Sequence, residues 1–250
     1  VNPALHISYD DQIMNFAARN GRIDPSTGAH NLTTGDLRML SVWLSTAIEE
    51  AWNRPRGKDW VWPFLVNSAT LTVTSGIIAL ADISYGPWIS LWSADPRTAN
   101  SNAYRVPVRV IDASGIYPQC DLGSVFGLYV ARVPEFSSTQ WSGATSYVTG
   151  DVVYDSTTGQ CWRAKTDVTG GTGILLSNAT YWEEQLIPRQ FGDYLTWSCL
   201  SMARDAAGQE QTAERLANSG LEALEREFIA AFRDSPTGSG KPFYVGGLWR

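Results

Sequence analysis

The sequence predicts an α+β fold: an antiparallel helical bundle, made of an N-terminal helix and two C-terminal helices, interrupted by an inserted antiparallel β domain and a small β module. Three observations carry this. Apolar residues recur at three- and four-residue steps near 37–52 and again over 191–232, the period of a helix with one buried face. From about Ala69 to Phe136 the period falls to two, in short β-branched and aromatic runs. Between Trp141 and Trp182 lies a third texture, dense in Thr, Gly and Ser with interleaved aromatics.

Taken in order, the chain begins irregularly. Asp10 is then placed to cap a short helix through Ile13, Phe16 and Ala17, closed by Gly21 where a C-terminal cap favours glycine. Arg22–Asn31 reads as a loop. Thr33 or Thr34 caps a stronger helix, with Asp36 in its first turn where the helix dipole favours a carboxylate. Leu37, Leu40, Leu44, Ala47, Ile48 and Ala51 lay a stripe along it as far as Trp52, and Pro55 ends it. Trp60, Trp62, Pro63 and Phe64 then staple the helix end to the sheet.

The β domain follows in the runs ATLTVTSG, GIIALAD, WISLWSAD, YRVPVRVID and VFGLYVARVP, punctuated by Gly, Pro, Asp and Asn. They suit an antiparallel sheet or a small sandwich, with Pro107 marking an edge strand because proline donates nothing to a ladder. Beyond the small module, Ile187-Pro188 opens a helix, proline being tolerated at a first helical position. Phe191, Tyr194, Leu195, Cys199, Leu200, Met202 and Ala203 form its buried face. Gly208 bends the chain into a last helix along Leu216, Ala217, Leu221, Leu224, Phe228 and Phe232, whose opposite face alternates Glu and Arg. A Gly/Ser/Pro tail ends in aromatics and an arginine.

Composition narrows the function. Of 250 residues 44% are apolar, ample for a core. Against 25 acidic residues stand 19 Lys and Arg, a formal charge of −6, which argues against a dedicated phosphate-backbone binder. No run approaches the roughly 18 apolar residues of a membrane span, and no leader pattern is visible, so the expectation is a chain made in the cytoplasm with no membrane partner. Cys120, Cys161 and Cys199 lack a C-x-x-C pair and read as free thiols. Eleven Trp and ten Tyr with little charge point to assembly, since each supplies large contact area with little rotamer entropy.

Catalytic and metal chemistry finds little to work with. His6 and His30 are the only histidines, which leaves no triad and no zinc-type His/Cys cluster. Glu183-Glu184 and Glu49-Glu50 are adjacent pairs that diverge in strand or helix and cannot flank one glycosidic bond. TGSGK at 237–241 lacks the phosphate-loop spacing and continues into Pro242 where a hydroxyl residue belongs. The expectation is no catalytic residue, no metal site and no cofactor.

Two resemblances sharpen the reading. Trp141, Tyr147, Gly150-Asp151, Val153-Tyr154, Cys161-Trp162-Arg163-Ala164 and Trp182 resemble the small carbohydrate-binding domains appended to chitinases. Physically, Gly150-Asp151 makes a tight turn, Val153 and Trp162 pair across a hairpin, and Trp141 with Trp182 closes the core. The resemblance implies possible glycan contacts at Trp141, Tyr154, Trp162, Tyr181 and Trp182. In those domains the sugar-stacking aromatics follow the residues matching Ala164-Lys165; here Thr166 and Asp167 follow.

As a whole the chain resembles the head-to-tail adaptor, or neck, proteins of tailed bacteriophages. The residues behind this are LSVWLSTAIEEAWN leading to Trp60 and Trp62-Pro63, the corner Ala94-Asp95-Pro96, the inserted GDVVY module, and the helix pair in IPRQFGDYLTWSCLSMARDAAGQEQTAERLANSGLEAL. This implies a homo-oligomeric ring, commonly a dodecamer, located in the virion neck between the portal protein and a tail tube or nozzle protein, with DNA passing through without specific binding. The C-terminal segment would reach the portal through Lys241, Phe243, Tyr244, Leu248, Trp249 and Arg250. The corresponding parts are residues 1–66 and 187–235 for the bundle, 67–137 for the β domain, 138–186 for the module and 236–250 for the extended tail. The rival expectation is a carbohydrate-binding tail or baseplate component that touches host glycans; a glycan-active enzyme is the third.

Overall fold

The computed structural model describes residues 6–54, 62–79, 88–96, 98, 102–112 and 115–233. It is an α+β structure with helices and several antiparallel sheets. Residues up to Asn53 together with Pro134–Ala230 form one unit; those from Arg54 to Val133 form another.

The first unit opens with strand β1 (His6–Ile7) and helix α1 (Tyr9–Arg19). Ser8, not Asp10, caps α1: its Oγ accepts from the Asp11 N–H at 2.9 Å while Asp11 Oδ2 accepts from the Ser8 N–H at 3.0 Å. The hydroxyl–carboxylate reciprocity at this three-residue spacing satisfies two backbone donors at once. Asn20 closes the helix, and Gly21 follows with φ +68°. Helix α2 (Thr34–Asn53) begins with the same device, Thr33 and Asp36 exchanging bonds of 3.2 and 2.8 Å. Leu40, Leu44, Ala47, Ile48, Ala51 and Trp52 are its buried stripe.

The second unit is a small β sandwich. It contains β2 (Val66–Thr72), β3 (Ile78–Ala79), β4 (Trp88–Trp92), β5 (Arg105–Val106), β6 (Val108–Asp112), β7 (Gly115–Pro118) and β8 (Ser124–Val130). One sheet runs β2-β8-β4-β5 and the other β3-β7-β6, both antiparallel. Leu71, Ile78, Leu91, Val106, Ile116 and Val125, drawn from both sheets, share one buried cluster. Pro107 sits between two edge strands, where the chain leaves one sheet for the other and no ladder donor is required. Strand β7 was not marked by any of the alternating runs: four residues bounded by Gly115 and Pro118 are too short to display a period. Trp62 is buried beside Phe64; Trp60 lies outside the described residues.

Returning to the first unit, the module contributes β9 (Val152–Asp155), β10 (Gln160–Ala164) and β11 (Trp182–Glu184) in the order β11-β10-β9. Then β12 (Ile187–Pro188) pairs with β1, His6 against Pro188 and Ile7 against Ile187. This corrects the expectation that Ile187-Pro188 starts a helix. Pro188 is extended, at φ −58° and ψ 130°, and can lie in a two-residue edge pairing. After a 3-10 turn, α3 (Gly192–Ala206) begins.

Gly208, at φ +73°, turns the chain into α4 (Glu210–Arg233). Ser201 Oγ donates to the Ala213 carbonyl, and Gly220 faces Tyr194, Trp197 and Ser198, so these two helices run antiparallel. Both α1 and α2 also pack on α3. Thr196 Oγ1 bonds the Gly192 carbonyl at 2.9 Å and Gln12 Oε1 at 3.3 Å, and Trp52 meets Phe191 at 6.0 Å between centroids. Helix α3 is therefore the common neighbour of the other three.

Candidate functional site

Trp162 stands opposite Val153, as the sequence suggests, and the third strand places Trp182 opposite Ala164. At the turn, Gly150 adopts φ +99° and the Asp151 N–H donates to Val148 O at 3.0 Å. Tyr147, Val153, Ala164, Val168, Leu176 and Trp182 form the core, with Trp141, Trp162, Ile174 and Tyr181 half-buried against it.

Of the five glycan candidates, Trp182 is fully inside, meeting Tyr147 edge-on at 5.4 Å. Trp141, Trp162 and Tyr181 contribute to the core's margin and keep partial exposure. Tyr154 stands apart from them in role: its hydroxyl donates to Asp10 Oδ1 at 2.5 Å. Where the chitinase-type domains carry sugar-stacking aromatics, Asp167 Oδ1 instead accepts from the Thr149 N–H at 2.8 Å and its hydroxyl at 3.0 Å. Those bonds, the backbone one first, hold the Asp167 carboxyl below its ordinary range. That loop is stitched, not displayed.

Sequence reasoning missed the junction between the module and α1. Asp10 accepts from Tyr154, its backbone N–H donates to Gly159 O at 3.1 Å, and its side chain covers Gly159. Tyr9 stacks on Phe136 and meets Tyr154 edge-on, each at 5.5 Å between centroids. Burial first, then the neighbouring Cys161 and Tyr154, push the Tyr9 phenol well up. Cys161 donates to the Ser137 carbonyl at 3.6 Å, and burial pushes its thiol up to about 12. A thiol so held is inert packing. Arg163 bonds Glu135 at 2.8 Å, and the neighbouring Phe136 N–H donates to Ser45 of α2 at 3.3 Å. The module is thus tied to the helices through side chains far apart in sequence.

A second feature lies between α3 and α4: an open groove of about 510 Å³ lined by Trp197, Ser219, Glu222, Glu225, Arg226 and Ile229. Arg19 from α1 stacks over the Trp197 ring at 4.2 Å and reaches Asp193 at 3.3 Å. Burial, then the charge of Asp193, raise the Glu227 carboxyl above its usual value.

The portal candidates Lys241, Phe243, Tyr244, Leu248, Trp249 and Arg250 lie outside the described residues. Among the described residues no group of three His, Cys, Asp or Glu is arranged to hold a metal ion, and no helix is long and apolar enough to cross a membrane. The three cysteines are unbridged. Compared with known proteins, the chain matches no family model and no curated protein sequence.

Proposed function

We propose that this protein is a structural, non-enzymatic virion component: a head-to-tail adaptor whose copies form a ring between portal and tail and line the DNA channel. The observation that carries the reading is the meeting of helices from both ends of the sequence on α3, with the β strands leaving from between them and returning. In this reading α2, α3 and α4 are an antiparallel bundle that holds neighbouring subunits. The β sandwich, within residues 54–133, and the module of 138–186 are its insertions, and 236–250 is the segment that reaches the portal.

Chemistry supports the same assignment. A net charge of −6 suits a channel wall, because a surface that grips phosphates would brake the passing duplex through counterion release. The arm pairs apolar anchors, Phe243, Tyr244, Leu248 and Trp249, with the cations Lys241 and Arg250, the composition of a docking peptide. Mixing the pure protein with its portal and imaging in negative stain is the test. Rings stacked on the portal are expected; a protein that ignores the portal and stays monomeric overturns the proposal.

The partial exposure of Trp141, Trp162 and Tyr181 on one small module favours a second reading, a tail or baseplate part contacting host glycans. Retention on chitin or cell-wall polysaccharide that Trp162→Ala abolishes without unfolding would select it.

A further inference from the structure

A closed ring of more than two subunits requires two different, mutually complementary patches on every copy, because each neighbour is met by a different face. The helical unit offers one of each kind. Its concave patch is the α3–α4 groove, where the apolar surface of Trp197 and Ile229 is bordered by Glu222 and Glu225. Ile229 is 59% exposed. Asp193 lies one turn before Trp197 on α3 and pairs with Arg19 at 3.3 Å. Two carboxylates, Glu222 and Glu225, border the groove; its cations are Arg226, on its wall, and Arg19, stacked on the Trp197 ring and paired with Asp193.

The convex patch is on α2. Met39 and Val42 are 47% and 56% exposed and stand one turn apart on a well-capped helix. Exposed Arg38 precedes Val42 by four residues and shares its face. A ridge of two apolar side chains flanked by a cation is the complement of an apolar groove bordered by acids, and ridges seat in grooves wherever helices cross. Apposing two copies of the groove would bring like charges together, so a two-fold contact through this face is disfavoured and a head-to-tail one favoured.

We infer that the Arg38–Met39–Val42 ridge of one copy seats in the α3–α4 groove of the next, Met39 and Val42 against Trp197 and Ile229, and the Arg38 guanidinium against Glu222 and Glu225. This rests on the ring reading above and names its subunit contact. The occupant is a second copy of this chain.

The experiment follows assembly of the full chain, alone at high concentration and on the portal, by sedimentation velocity and negative stain. Val42→Asp is expected to abolish rings with an unchanged melting temperature, since Val42 faces solvent within the subunit. Arg38→Glu should raise the concentration needed for assembly by at least about tenfold, and combining it with Glu222→Arg and Glu225→Arg in one chain should restore it. In a Val42→Cys, Ile229→Cys chain, mild oxidation should give a ladder of covalent oligomers. Rings that persist in both Val42→Asp and Arg38→Glu overturn this contact and leave the adaptor reading standing. A wild-type chain that forms no ring even on the portal overturns both.

Discussion

Tyr154 shows how one hydroxyl fixes a module. Burial first, and the Asp10 carboxylate next, raise its phenol well above the ordinary value, and the hydrogen bond of 2.5 Å is to a charged acceptor. Tyr154→Phe should cost about 2 kcal/mol, the usual worth of a bond to a charged group, measured by urea unfolding. The pH dependence follows from the direction of the shift. With the folded pKa above the unfolded one, the contribution is complete below the unfolded pKa of about 10 and drains as pH rises toward the folded value. Wild-type melting temperature should therefore fall more steeply than that of Tyr154→Phe from about pH 10 upward. Gly159 is the other fixed point. At φ +68°, an added Cβ would stand 2.9 Å from Asp10 Oδ2 and 3.0 Å from Asp10 Cβ, so Gly159→Ala should lose about 1–3 kcal/mol. Nothing near either residue announced this: Tyr154 and Asp10 are 144 positions apart. The sequence assigned Tyr154 to a glycan surface and Asp10 to a helix cap, since it displays only local partners.

Elements were more legible, because their signals act within a few residues. The stripe along α2 and the Thr33 cap are both present, and Gly208 does turn the chain. Thr33→Ala should lower stability by about 1 kcal/mol, read from thermal melting, by removing one side of the capping box. The backbone N–H of Thr33, then its hydroxyl, hold the Asp36 carboxyl below its usual value, with Arg22 adding to the effect. A depressed carboxyl stabilises above its unfolded pKa and ceases to as pH falls through the lower folded value. The Thr33→Ala protein should accordingly show a shallower loss of stability below about pH 4 than wild type. Two of the elements that escaped notice did so for opposite reasons. Ile187-Pro188 had a helical reading available from proline's own preference, and only its partner β1 makes it a strand. Gly115–Pro118 had no local signal of either kind and exists by pairing with β3 and β6.

For the whole molecule, the module is a structural member of the helical unit. Replacing residues 139–185 with a short Gly/Ser linker should lower the melting temperature, since α1 would lose the Tyr154 and Gly159 contacts and Tyr9 an aromatic neighbour. An unchanged melt would make the module a free appendage. Deleting 241–250 should do the reverse, leaving the melt unaltered while removing portal binding; retained binding would take the arm out of the mechanism. The sequence by itself determined the helices, most strands, the hairpin inside the module and the antiparallel turn at Gly208, because periodicity, caps and turn glycines act over one or two turns of chain. Only the tertiary structure decided that α3 is the shared neighbour of three helices, that the module is locked to α1, and that an acidic groove and a basic-apolar ridge are left facing solvent. Those outcomes depend on which faces meet, and the residues that make them meet lie far apart along the chain.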